Sequence, residues 1–245
     1  MKYVDKTYRL LYRSKDLAYF KFTLKETDLY IAVKPEIVND AMLCLEKFLI
    51  NLRGELEKYI SLHPEFLNSF VPCETLIGAP EIAKDMAKAC KIAGVGPMAA
   101  VAGAFSHYIG EYLRYISEEV VVENGGDIYI HTKKTRRIAV FAADSPFSQR
   151  IALEVYPEEM PLGICTSSGT VGHSISFGTA DAVVVVARSA VLADAVATAA
   201  ANKVKCFDDL ETAVKYAVGI GGVLGSLAIC KDKMAVCGKI KLIPI

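Results

Sequence analysis

The stretch SAVLADAVATAAAN, residues 189–202, constrains the fold of this chain more than any other. Wound as a helix it is apolar around its whole circumference, and a helix without a polar face must be covered on all sides. Two residues break the pattern. Asp194 and Thr198 lie four apart, so on a helix they stack on one face with Cβ atoms about 5–6 Å from each other. A carboxylate carried into such surroundings needs a partner, because leaving it unpaired would cost several kcal/mol. One reading is local: the Thr198 hydroxyl bonds back to the carbonyl of residue 194, and Asp194 caps or pairs with a nearby cation. The other makes the two residues ligands of a hard cation such as Mg2+, which takes oxygen donors and completes its shell with waters and phosphates.

The rest of the chain has to supply the cover. With 245 residues it can bury roughly 70–75% of its unfolded surface. The apolar excess (mean hydropathy +0.31) comes from alanine and valine. Its richest run, residues 180–201, is interrupted by Asp181, Arg188 and Asp194, which argues against a membrane span and for a tight core or a homo-oligomer interface. Lys+Arg 28 balance Asp+Glu 28, and there is no basic stripe with interleaved aromatics, so nucleic acid is not an expected partner. The amino terminus is charged throughout and lacks an apolar signal core, which predicts a cytoplasmic protein. Seven cysteines form no CxxC pair and read as reduced, small core residues.

Periodicity divides the chain into two halves of different character. Residues 17–24 and 29–33 alternate around KETD and predict an opening hairpin. Ile37, Ala41, Cys44, Phe48, Leu52, Leu56 and Ile60 recur at helical steps, predicting a long amphipathic helix that ends near HPEF. His63, just before Pro64, is given no catalytic role. Pro80 can open a second helix that stops at Gly94, and a third is predicted over 98–115. After residue 116, short β-branched runs predict five or six strands: EEVVVE, DIYIH, RRIAVFAA, RIALEVYP, LGICTSS and DAVVVVA. The alanine-rich helix follows, then a helix over 208–217 and a closing hairpin around KDK. Helices before residue 116 and strands after it predict an α+β fold with one domain over 1–245, divided into a hairpin-and-helix part (1–116) and a strand-rich part (117–245).

Two further segments offer chemistry. In VENGGDIYI the paired Gly125 and Gly126 let the backbone approach a ligand, flanked by Asn124 and Asp127; an ordinary Asn-Gly hairpin turn explains the same residues. In CTSSGTVGHS, Thr166, Ser167, Ser168 and Gly169 could cradle an anion with hydroxyls and free amides, and His173 could exchange protons near neutral pH or serve as a structural hydrogen-bonding residue. No GxSxG elbow supports a serine hydrolase.

Taken in order, NGGDI, TSSG, a histidine and ADAVAT resemble the ApbE family, the magnesium-dependent FAD:protein FMN transferases, over roughly residues 94–202. The resemblance implies an ApbE-like, T-fold-like domain with helices packed on an antiparallel or mixed sheet. It implies Mg2+ held by Asp194, Thr198 and the backbone carbonyl of Ala102, in AAVAGA. It also implies FAD, or another small anionic ligand, bound by Asn124–Asp127 and Thr166–Gly169, with His173 moving a proton. Here Gly103 stands where the family has lysine, and GHSISF lacks the family's Asp-Pro after the histidine. The pattern is similar to a divergent branch of the family found in archaea and anaerobic bacteria. FMN transfer and FAD pyrophosphate hydrolysis are the activities implied. A small-anion enzyme of sulfur or homocysteine metabolism and a non-catalytic oligomeric binding protein are the alternatives.

Overall fold

The computed structural model describes residues 14–169 and 178–245. An eight-stranded sheet carries the fold. Its strands, in chain order, are β1 (Ala18–Leu24), β2 (Thr27–Val33), β3 (Val120–Asn124), β4 (Asp127–His131), β7 (Leu162–Ser167), β8 (Ala182–Ala187), β9 (Val223–Cys230) and β10 (Lys233–Gly238). They lie side by side in that same order, and every neighbouring pair is antiparallel. The connection from β4 to β7 carries β5 (Arg136–Ala139) and β6 (Ile151–Val155), which with the terminal β11 (Leu242–Pro244) make a second, three-stranded antiparallel sheet.

Helices cover one face of the large sheet and the small sheet covers the other, so the chain has two cores. The run AVVVVA of β8 shows why. Val183 and Val185 belong to the helix-side core, Val184 and Val186 to the core between the sheets. A strand buried on both faces reads as a continuous apolar run because side chains alternate sides.

The helices are α1 (Val38–Leu62), α2 (Pro64–Asn68), α3 (Glu81–Ala93), α4 (Val101–Leu113), α5 (Ala190–Lys203) and α6 (Leu210–Val218). The predicted helices exist, with two differences. α1 buries Leu45 and Leu49, whereas the expected Cys44 is exposed and Phe48 lies half-buried against Tyr112, ring centroids 4.1 Å apart. Apolar residues lie on more than one side of this helix (Met42 and Leu43 are exposed), so periodicity left the inward face open by one position. The third helix begins as a tight 3₁₀ turn, Pro97–Ala100, before α4. His63 is structural, its Nδ1 lying 3.0 Å from the Tyr59 hydroxyl.

Two other expectations need correction. The tail after KDK does not continue as one strand: at Gly238, φ 80°, the chain turns, and Leu242–Pro244 joins the second sheet beside β6. A side chain there would adopt a strained φ and place its Cβ 2.5 Å from the Leu224 carbonyl oxygen. The cysteines are free, but only Cys90, Cys165 and Cys230 are buried; Cys44 and Cys206 are exposed.

The alanine-rich helix α5 packs against α3, α4, α6, β7 and β8, and Ala190, Val191 and every residue from Ala193 to Ala201 are buried. Small side chains let these elements approach closely. On β7, a Cβ at Gly163 would fall 2.3 Å from Ala190 Cα. Among the described residues no single helix is long and apolar enough to cross a membrane.

At the sheet end remote from the β3–β4 turn, Arg136 is almost fully buried and bonds to Glu119 at 2.6 Å, Asp16 at 2.8 Å and Thr132 at 3.2 Å. Glu119 also accepts from the Thr132 hydroxyl and the Lys133 amide, and this network joins the chain before β1 to β3, β4 and β5. Removing one partner strands a buried charge. Replacing Glu119 with alanine is expected to lower the urea-derived stability by about 3 kcal/mol, whereas Lys91→Ala, at an exposed pair with Glu74, changes it far less.

Candidate functional site

The four segments singled out in the sequence meet at one end of the large sheet. Asn124, Gly125, Gly126 and Asp127 form the β3–β4 turn, Thr166, Ser167 and Ser168 the end of β7, Asp194 and Thr198 a face of α5, and Ala102 the first turn of α4. All of them line a cavity of about 1300 Å³. Gly169 is not part of the lining: its amide donates to the Ala180 carbonyl at 2.9 Å, so it is not available to an anion. His173 lies outside the described residues.

Asp194 has an unexpected partner. Its Oδ2 accepts the Gly103 amide at 2.7 Å, with a further backbone bond from Ala102. No ion pair to it occurs among the described residues. The carboxylate therefore caps the amino terminus of a different helix, α4, whose first amides lack partners within their own helix and carry partial positive charge. Capping by Asp194 is one arm of the local reading; its other arm, a bond from the Thr198 hydroxyl to the carbonyl of residue 194, does not occur among the described residues.

Gly103 is what permits this cap. A Cβ at that position would lie 2.4 Å from the Ala190 carbonyl oxygen and 2.6 Å from Asp194 Cβ. The two helices touch through bare backbone, which leaves no space for the lysine expected by resemblance.

The turn is held from below. Ser106, fully buried on α4, donates to the Asp127 carbonyl at 2.7 Å and also lies 3.1 Å from the Ala102 carbonyl, which accepts the Asn124 amide at 3.2 Å. Gly126 donates its amide to Glu123 Oε1 at 2.8 Å. Neither Ser106 nor Glu123 stood out in the sequence. Glu123 directly precedes the glycine turn, and Ser106 follows Ala102 by one helical turn; these are the only signals each offers.

The electrostatics are unusual. Burial pushes the Asp127 carboxyl up to about 7, against partial relief from the Cys165 thiol and the Thr166 amide and with repulsion from Glu123 added. Burial likewise holds the Asp194 carboxyl well above the usual range, and repulsion from Asp127 raises it further. Asp127 Oδ1 and Ser167 Oγ are buried without a hydrogen-bond partner among the described residues. Two buried carboxyls that repel each other are a destabilising arrangement that a divalent cation would reverse.

The donor set fits such an ion. Two carboxylates, the Thr198 hydroxyl and a backbone carbonyl are hard oxygen ligands, suited to Mg2+. The Ala102 carbonyl, which belongs to α4, also accepts from the Asn124 side chain at 3.2 Å and lies 3.1 Å from the Ser106 hydroxyl, whose shorter bond goes to Asp127. Among the described residues no three of His, Cys, Asp and Glu cluster into a metal cage made of protein alone. A shell completed by water and ligand phosphate is the remaining form.

The cavity walls are acidic. Glu26, Asp28, Glu57, Glu123, Asp127, Asp181 and Asp194 line it, and the one lining cation among the described residues, Arg53, is bound to Glu26, Glu57 and Thr27.

Two outcomes follow for the protein without metal. Asp127 is protonated in the folded chain below about pH 7 but ionised above about pH 4 when unfolded (usual value 3.8). The folded state thus holds the extra proton in that window, and the contribution to stability is full below pH 4 and lost as pH rises through 7. Thermal melts between pH 4 and 8 should show this decline, and Asp127→Asn should flatten it. Gly103→Ala should cost about 1–3 kcal/mol by overpacking; Gly54→Ala, with nothing within 4 Å of the new Cβ on exposed α1, should not destabilise in the same melts.

Comparison with known proteins gives a consistent picture. The family model described as AbpE bacteria matches residues 9–217. The UPF0280 protein of Methanocaldococcus jannaschii is 41% identical over 200 residues, covering 80% of this chain and 81% of the relative. In three dimensions a mutant of flavin transferase ApbE from Vibrio cholerae superposes with a TM-score of 0.60 at 12% identity, over 91% of this chain and 97% of that one. The apo flavinyl transferase ApbE of Pseudomonas stutzeri gives 0.58 at 13% identity, over 91% and 94%.

Proposed function

This chain belongs to the UPF0280 proteins, a divergent ApbE-like branch, and from that premise we propose that it binds a pyrophosphate-bearing flavin ligand, FAD, together with Mg2+. The observation that carries the reading is the buried Asp127–Asp194 pair. Both carboxyls are raised by burial, Asp127 Oδ1 meets no donor among the described residues, and the Thr198 hydroxyl and Ala102 carbonyl lie on the same cavity. Asp194, Thr198 and Ala102 would hold the ion, with Asp127 beside them. Bound there, Mg2+ supplies positive charge to phosphate oxygens and lets an anion enter an acidic cavity.

The chain's own groups do the remaining work. The α4 amides fix the Asp194 carboxylate through its Oδ2. Ser106 and Asn124 set the spacing between α4 and the glycine turn, which brings Asp127 toward α5. Ser167 Oγ, buried without a partner among the described residues, would donate to a phosphate oxygen. His173 is the proposed proton carrier for transfer of FMN to a hydroxyl or to water. Gly103 offers no cation, so metal rather than lysine balances the ligand charge. Of the two activities, the acceptor decides between transferase and hydrolase.

Isothermal titration of FAD with and without Mg2+ tests the proposal. Binding is expected with the metal and is expected to weaken by more than about tenfold, or about 1.4 kcal/mol, when EDTA is added or Asp194 is replaced by asparagine. Absence of FAD binding in both conditions would sink it.

A further inference from the structure

Away from the large cavity, the two sheets part at the end opposite the glycine turn. There β6 and the chain leading into β11 face β7, β8 and β9, and a pocket of about 240 Å³ opens between them. Leu153, Val155, Leu162 and Val186, all members of the core between the sheets, form its floor, with Leu224 and Ile240 at the margin. Leu153 is the only residue common to this lining and that of the large cavity. Three contacts fix the mouth. The Lys239 amide donates to the Leu224 carbonyl at 2.7 Å, Ile240 fills the space beside Gly225, where a Cβ would fall 2.6 Å from Ile240 Cγ1, and Arg188 donates to the Glu159 carbonyl.

The charges that line the pocket are of two kinds. Lys241 and Glu154 neutralise each other at 2.7 Å, and the Tyr156 hydroxyl donates to Glu154 at 2.8 Å. Glu159 and Lys239 line the same pocket without pairing. The half-buried Glu159 accepts the Tyr156 amide at 3.2 Å through Oε2, the exposed Lys239 ammonium makes no bond, and neither enters an ion pair among the described residues. Size and charge limit what fits. Pockets for drug-sized ligands begin at about 300 Å³, so a nucleotide is too large, whereas an aliphatic cavity of about 150 Å³ in another protein already holds benzene. A fatty acid would set its carboxylate against Glu159, and an aliphatic amine would set its ammonium against Lys239. A zwitterion with an apolar side chain meets neither obstacle.

We infer that this pocket binds a free aliphatic α-amino acid of leucine's size, its carboxylate on Lys239, its ammonium on Glu159 and its side chain on the floor of Val155, Leu162 and Val186. Burial of the side chain supplies affinity, while the two charges fix orientation and exclude singly charged ligands. β6, β9 and the connection 239–241 all line the pocket, so the bound amino acid joins the second sheet to the first. The site is independent of the flavin reading, because it shares neither a charged group nor a glycine with the large cavity.

Isothermal titration of the full chain with L-leucine is the test, beside isocaproate, which lacks the ammonium, isopentylamine, which lacks the carboxylate, and glycine, which lacks the side chain. Leucine is expected to bind saturably, and each of the three partial ligands at least about tenfold more weakly. Lys239→Met and Glu159→Gln should each weaken leucine by about tenfold with unchanged circular dichroism, whereas Lys233→Met, at an exposed lysine outside the lining, should leave it unchanged. No saturable leucine binding, a partial ligand that binds as tightly as leucine, or full affinity in either Lys239→Met or Glu159→Gln overturns the inference. FAD titration with Mg2+ is a separate measurement, and its outcome bears on the proposed function alone.

Discussion

One contact organises the functional end of this protein: the Asp194 carboxylate on the first amides of α4. A helix as apolar as α5 can exist only in the middle of a fold, and a carboxylate buried there needs compensation. A basic side chain would be the usual answer. The chain uses a helix terminus instead, whose free amides need acceptors in any case, so two unmet requirements satisfy each other. The contact demands that α4 and α5 approach at backbone distance, which is why position 103 is glycine.

That solution is partial, and the remainder is chemically useful. Backbone amides stabilise the charge on Asp194, but Asp127 lies close enough to oppose it and both are raised by burial. A folded chain that keeps together two carboxyls whose ionised forms repel each other, with Asp127 Oδ1 and Ser167 Oγ unserved among the described residues, gives up stability at that spot. Local destabilisation of this kind is characteristic of sites that bind ions. The rest of the molecule, with its two cores and its buried Arg136 network at the far end of the sheet, supplies the rigidity that holds the arrangement in place.

The comparison with ApbE proteins acquires physical content at Gly103. From sequence alone, Gly103 marked only a departure from the lysine of the family. In the structure it is a packing requirement, because Ala190 and Asp194 occupy the space where a side chain would begin. The acidic lining points the same way, since an anion must bring or find its own cations there.

Much of the fold was legible in the residues themselves. β-Branched runs, turn glycines and a proline at a helix start are local signals, and the strands β1 to β4 and β7 to β9, the end of α3 at Gly94 and the buried nature of α5 all follow from them. The ordered motifs likewise marked most of the cavity lining, because glycine turns, clustered hydroxyls and a polar pair in an alanine helix are rare enough in sequence to notice. What the sequence could not hold is anything that depends on two distant segments meeting. The inward face of α1, the transfer of the last strand to a second sheet, the loss of the Gly169 amide to Ala180, and the roles of Ser106 and Glu123 were all decided in three dimensions. So was the partner of Asp194: a backbone amide has no side-chain identity, so no residue letter records that it will be the donor.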